Sequence, residues 1–143
     1  MIGIAALILS AMFAGAALYI NLVEHPARMA LPAAQARAQW APAYARGYVM
    51  QASLAMLSGV AGVVVWWRWG ATAPLVGGLL MLANWPWTLV AIMPVNRALL
   101  TISDNGNDEK IGALLARWNM LHAVRTALGL MATACFAWPL IRF

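Results

Sequence analysis

Four stretches dominated by apolar residues constrain the fold of this chain more than any other feature of its sequence. They cover approximately residues 2–24, 47–68, 73–100 and 108–141. A helix needs about 20 mainly apolar residues to cross a bilayer, and lipid offers no partner to a free peptide group, so each stretch must be helical. The sequence therefore predicts an all-α fold, an integral membrane antiparallel four-helix bundle in a single transmembrane domain over residues 1–143.

The composition excludes a soluble domain and argues against nucleic acid as a partner. Hydrophobic residues make up 64% of the chain and charged residues 9%, which is far too apolar for a water-soluble protein. The net charge is +5, but the nine Lys and Arg residues are scattered singly between apolar stretches and form no basic stripe. We therefore expect this charge to face the anionic surface of a lipid bilayer.

The connections between the helices are unequal in length. Residues 24–47 form an Ala-rich connection, in which PAAQARAQW predicts a short interfacial helix that begins at Pro32, after helix one. Lys and Arg residues are more frequent in and next to the two long connections than at the opposite end of the bundle. The first set is Arg28, Arg37, Arg46, Arg97, Lys110 and Arg117, and the second is Arg68 and Arg142. By the positive-inside rule, we expect both termini outside the cytoplasm, in a bacterial inner membrane.

Polar residues gather at the end of the bundle where the long connections lie. Helix one ends with Asn21, Glu24, His25 and Arg28 on one helical stripe, and helix four enters the bilayer with Trp118, Asn119, His122 and Arg125. Both histidines are therefore expected at a similar depth on the same side. A charged group within a bilayer is costly, so we expect these side chains to face the bundle interior and Glu24 to pair with Arg28 or Arg125.

These residues make up the candidate site. The catalytic candidates are His25, His122, Glu24 and Arg125, and the substrate-binding candidates are Asn21, Tyr44, Gln51, Asn84, Asn96, Trp118 and Asn119. The simpler interpretation is that those near the helix ends reach the headgroups and that Asn84 makes an interhelical hydrogen bond. Two histidines on different helices are also compatible with a metal site that has Glu24 as third ligand, or with axial ligation of a haem. Neither spacing is diagnostic.

Four stretches of the sequence carry a family resemblance. They are NLVEHPAR (Asn21 to Arg28), WAPAYAR (Trp40 to Arg46), PWTLVAIMPVNRALL (Pro86 to Leu100) and RWNMLHAVRTALGL (Arg117 to Leu130). Together they resemble the anthrone-oxygenase-like family of small four-helix membrane proteins. The resemblance implies oxidation of anthrones to anthraquinones by O2 with no obvious cofactor. It makes His25 and His122 candidates for the general base, with Arg125, Asn96 or Tyr44 stabilising the oxyanion.

Three functional hypotheses follow. The leading one is a membrane oxidoreductase of the oxygenase type, either cofactor-independent or metal-dependent, that acts on an apolar aromatic or quinone-like substrate from the lipid. The second is a protein that binds haem, copper or iron through His25 and His122. The third is a non-catalytic subunit of a larger membrane complex or a homo-oligomer, for which the small-residue faces of helices one and two provide close-packing surfaces.

Overall fold

Four long helices form an antiparallel bundle in the computed structural model, which describes residues 1–103, 105 and 107–141. We name them α1 (Ile2–Met29), α2 (Ala33–Trp69), α3 (Thr72–Thr101) and α4 (Asp108–Ile141). Each packs against its neighbour in the chain, and α4 closes the bundle against α1. All four are long and apolar enough to cross a membrane, which confirms the predicted fold of an integral membrane protein. Arg142, one of the two basic residues at the opposite end in the prediction of membrane orientation, lies outside the described residues.

The interfacial helix predicted to begin at Pro32 is wrong as a separate element. Residues 33–46 are the first turns of α2, a continuous helix of 37 residues that contains both Pro42 and Gly47. Ala36 and Trp40 are buried here against residues of α3 and α4, among them Leu99 and Leu115. This packing outweighs the cost of a helical glycine, about 1 kcal/mol. At 1.5 Å per residue, α2 is about 55 Å long and extends well beyond a hydrocarbon core of about 30 Å.

Two helices change their hydrogen-bond pattern near the polar end of the bundle. α1 contains the π-helical turn Ile20–Glu24 and α3 contains the π-helical turn Thr88–Ile92. In α1 the N–H of His25 donates to the carbonyl of Ile20, five residues earlier, and in α3 Met93 donates to Thr88 in the same way. A proline follows each time, Pro26 and Pro94. Because proline has no N–H for the carbonyl four residues earlier, it favours this local change of pattern.

The opposite half of the bundle is held by a close glycine contact between α2 and α3. A Cβ placed on Gly78 would lie 2.8 Å from the carbonyl oxygen of Gly59 and 3.3 Å from Cα of Gly62. Small residues allow two helix backbones to approach in this way where no hydrophobic effect drives association. α2 then ends at Gly70, whose φ of 68° is left-handed, and α3 begins at Thr72.

Candidate functional site

A cavity of about 40 Å³ lies inside the bundle, between the two π-helical turns. This volume has room for about three water molecules. Every helix contributes to its walls, and the two π turns supply Ile20, Glu24, Thr88 and Ile92. The remaining lining residues are Arg28 from α1, Trp40, Ala43, Tyr44, Gly47, Tyr48 and Gln51 from α2, Asn96 from α3, and Trp118, His122 and Arg125 from α4. We call it the first cavity.

Asn21 of α1 orients His122 of α4 from behind the cavity wall. The amide nitrogen of Asn21 donates to the backbone carbonyl of Asn119 at 3.1 Å and to its side-chain oxygen at 2.6 Å. A backbone carbonyl only accepts, so the Asn21 amide oxygen must face the other way, where Thr126 donates to it at 2.5 Å. Nδ1 of His122 lies 3.2 Å from that same oxygen. Nδ1 therefore carries the proton and donates, which leaves the lone pair on Nε2 of this cavity-lining residue.

A second cluster of polar side chains holds Arg28 in place. Arg28 is 3% exposed. Its guanidinium donates to the carboxylate of Glu24 and to the side-chain oxygen of Gln39, and Gln39 donates to Glu24 at 3.4 Å. The guanidinium carbon also lies 5.8 Å from the ring centroid of Trp118. The predicted ion pair of Glu24 is thus with Arg28. Arg125 is 8% exposed, makes no ion pair with any described residue, and lies over the ring of Phe13 at 5.4 Å.

The residues around the first cavity carry an excess of unpaired hydrogen-bond donors. Six buried N–H groups of lining residues have no hydrogen-bond partner within the part of the chain that the structure describes: Arg28 Nη1, Trp40 Nε1, Gln51 Nε2, Asn96 Nδ2, Trp118 Nε1 and Arg125 Nε. Against them stands a single buried acceptor without a partner among these lining residues, the Asn96 side-chain oxygen. An unpaired buried polar group costs about 1–3 kcal/mol. A ligand that brings accepting oxygens would therefore be favoured here.

Aromatic rings follow one another along the same cavity. The ring centroids of Tyr48 and Tyr44 are 6.1 Å apart, those of Tyr44 and Trp40 are 5.0 Å apart and nearly parallel, and Trp40 meets Trp118 edge-on at 6.1 Å. Trp118 in turn stacks on His122 at 4.9 Å. These rings pack largely against one another and form an aromatic wall of the first cavity.

The structure brings most, though not all, of the predicted site residues to this cavity. Glu24, Tyr44, Gln51, Asn96, Trp118, His122 and Arg125 line it. Asn21 and Asn119 form the hydrogen-bond network behind His122. His25 does not line the cavity and stacks on Trp118 at 6.3 Å, and Asn84 lies elsewhere and donates within its own helix, to Leu80 and Met81.

The structure does not support the predicted three-ligand metal site. Among the described residues, no three His, Cys, Asp or Glu side chains are grouped closely enough to hold a metal ion, so Glu24, His25 and His122 are not supported as a ligand set. Glu24 is held by Arg28, and Nδ1 of His122 faces Asn21. The imidazoles of His25 and His122 both stack on the indole of Trp118. Axial ligation of a haem by these two histidines stays a prediction.

Comparison with known proteins gives one match. A sequence model of the family described as anthrone oxygenase matches residues 40–135, more than half of the chain. The chain belongs to the anthrone oxygenase family. No curated protein and no solved structure matches it. Three of the four stretches that carry the resemblance lie within the match to the anthrone oxygenase family, whereas Asn21 to Arg28 precedes it.

Several residues of the site in this anthrone oxygenase family member were not predicted as site residues. Trp40, Tyr48 and Thr88 line the first cavity, Thr126 shares the amide oxygen of Asn21, and Gln39 holds Arg28. Trp40 belongs to a stretch that the sequence assigns to an interfacial helix. Only the continuity of α2 brings it into the bundle. The sequence feature that could have identified Thr88 is Pro94, because this proline follows the π turn that begins at Thr88.

Proposed function

We propose that this protein is a membrane oxidoreductase that deprotonates an apolar aromatic ketone or phenol at the first cavity, which widens to admit the substrate, and passes the resulting anion to O2. One observation carries the proposal. His122, with its Nε2 lone pair, and six unpaired N–H donors belong to the walls of the same cavity, which lies within membrane-spanning helices. A base next to a donor-rich pocket is what removal of a carbon-bound proton requires.

His122 is the better candidate for the general base. Asn21 accepts the Nδ1 proton and so presents Nε2 as the acceptor, in the same way that a third group orients the base of other catalytic sets. His25 does not line the cavity, and its Nδ1 is buried without a partner. Family resemblance left the two histidines equivalent. The hydrogen bonds around His122 support it as the base.

Arg125 and Asn96 are the proposed partners of the substrate oxygen. Removal of a proton from the carbon opposite a ring ketone moves negative charge onto the ketone oxygen. The Nε of Arg125 and the Nδ2 of Asn96 are both buried N–H donors without a partner. Donors that are already in place when charge develops stabilise it without reorganisation, and in a site with little water each is worth more than in solution. Tyr44 lines the same cavity and is a third candidate.

The reaction balances with O2 as oxidant and needs no further reductant. The carbanion gives one electron to O2, and the carbon radical and superoxide combine to a peroxide anion, which becomes the hydroperoxide on protonation. The imidazolium of His122 returns its proton, and loss of water leaves a second ketone. Overall, anthrone and O2 give anthraquinone and water. By the distribution of Lys and Arg, we further propose that this end of the bundle faces the cytoplasm of a bacterial cell, with both termini on the opposite side.

Oxygen uptake by the protein in lipid nanodiscs tests the proposal. Wild-type protein with anthrone is expected to consume O2 and to form anthraquinone in equal amounts. His122→Gln is expected to lower the rate by about 10²–10⁴-fold, which is the usual contribution of a general base. His25→Gln is the matched control and is expected to retain most activity. Wild-type protein without uptake, or equal losses in the two variants, would contradict the proposal.

A further inference from the structure

A second, smaller cavity of about 20 Å³ lies beside the first, between α2 and α3. Its walls are mainly apolar and include Ala52, Ala55 and Leu89. Tyr48, Thr88 and Arg125 line both cavities, so these three side chains form the boundary between them. We call it the second cavity.

The second cavity is open toward the lipid. Leu89 is 54% exposed, and Tyr48, Ala52 and Trp85 are partly exposed, although all four belong to membrane-spanning segments. Asn84, also on its wall, lies near the middle of α3. This opening is therefore on the side of the bundle and within the hydrocarbon region.

The first cavity opens in a different direction. Its partly exposed lining residues belong to α1 and α2, and they include Glu24 and Tyr44 at the polar end of the bundle. Glu24 there pairs with Arg28. An apolar molecule that enters here would pass the Glu24 carboxylate and its guanidinium partner. The exposed and partly exposed wall residues of the second cavity carry no charge.

We propose that the second cavity is a lateral entrance that widens as a neutral aromatic ligand passes from the bilayer to the first cavity. The proposal rests on the proposed function, because it takes the first cavity as the ligand site. Two polar atoms mark the route: the side-chain oxygen of Asn84 is a buried acceptor without a partner, and Nε1 of Trp85 is a buried donor without one. A hydroxyl group of the ligand can satisfy both in passing. Arg125 lies at the inner end, where the ligand first meets a charge.

Ala52 is the position at which the entrance can be closed after the protein has folded. Ala52→Cys is treated in nanodiscs with benzyl methanethiosulfonate, which attaches a removable benzyl group. Val60→Cys, on the same helix, is the matched control, because Val60 is 49% exposed and lines neither cavity. Wild-type protein treated in the same way reports any effect of labelling the native Cys135.

Stopped-flow binding of 2-hydroxyanthraquinone, a coloured phenol, provides a readout that does not depend on turnover. A label that only blocks the route changes the rates of association and dissociation. It does not change the free energies of the free and bound protein. We expect the label at residue 52 to slow association and dissociation by about tenfold or more, with a Kd within about threefold of wild type. Reductant should restore both rates, and the label at residue 60 should change neither.

Three results would contradict the proposal that the second cavity is an entrance. One is unchanged association with complete labelling of residue 52, confirmed by mass spectrometry. Another is a Kd weakened in proportion to the slower association, because the second cavity would then be part of the binding site itself. The third is wild-type protein that binds no probe. Failure of the proposed function is distinguishable from all three, since it would appear as probe binding without oxygen uptake.

Discussion

Asn21 and His122 come from opposite ends of the chain and meet across the α1–α4 contact, with Oδ1 of Asn21 3.2 Å from Nδ1 of His122. The oxygen also accepts from Thr126, and the amide nitrogen is fixed by Asn119. Every hydrogen-bonding group of the Asn21 side chain is therefore used to hold one tautomer of one histidine. Asn21 does not line the first cavity, so it acts through His122 as a positioning residue.

Loss of this contact should slow the reaction without removing the base. Asn21→Leu has a similar volume but no acceptor, so the Nδ1 proton of His122 loses its partner and the other tautomer becomes accessible. We expect kcat for oxygen uptake to fall by up to about 10²-fold, less than for His122→Gln. The KM for anthrone should change little. Asn21→Asp in its protonated form keeps both the acceptor for His122 and a donor to Asn119 and should recover much of the rate, whereas equal losses in both variants would point to a packing defect.

Arg125 should determine the affinity for ionised ligands. Arg125→Gln keeps an amide donor of shorter reach and removes the charge. We expect the Kd for ionised 2-hydroxyanthraquinone to weaken about tenfold or more, because a hydrogen bond to a charged group contributes about 1.5–3 kcal/mol. Equilibrium titration in nanodiscs measures the effect. Arg46→Gln removes the same charge from an exposed residue that lines neither cavity, and it should leave the Kd unchanged.

The pairing of Glu24 with Arg28 should contribute to the stability of the bundle. Glu24 is 23% exposed and Arg28 only 2% at its side chain, so Glu24→Ala leaves a buried guanidinium with one partner fewer. We expect the free energy of unfolding to fall by about 1.5–3 kcal/mol in an SDS titration from bicelles. Glu109→Ala removes an exposed carboxylate from the first turn of α4 and should cost well under half as much. Similar losses in the two would argue against a structural role for the pair.

The glycine contact between α2 and α3 should tolerate no added atom. A Cβ on Gly62 would lie 2.6 Å from the carbonyl oxygen of Pro74 and 2.8 Å from the ring of Phe136. Gly62→Ala is therefore expected to destabilise the protein by about 1–3 kcal/mol through overpacking. Gly15 has no atom within 4 Å of the same position, and Gly15→Ala should raise stability slightly. Thermal unfolding of both variants in one detergent gives the comparison, and a stable Gly62→Ala would show that the helices can separate freely there.

The sequence predicts much of this molecule because a bilayer leaves few choices. Apolar stretches of sufficient length must be helices, and consecutive spans must cross the bilayer in alternating directions, so Glu24 and His122 could be placed at one end of the bundle in advance. The start of α2 could not be predicted, because tertiary packing of Ala36 and Trp40 decides whether the helix continues through Pro42 and Gly47. The sequence also could not distinguish the roles of His25 and His122, because the distinction depends on the Asn21 amide, 101 residues away from His122 in the chain.

The two π turns show where this bundle can change length. A π turn holds one more residue than the α-helical pattern around it. Deletion of one residue from Ile20–Glu24 would let α1 continue as a regular helix and would rotate everything beyond it by about 100°. Arg28 would then turn away from Gln39, while the helix itself would persist. Insertions and deletions at the two π turns, one on either side of the first cavity, would thus reshape its walls while preserving the membrane-spanning architecture.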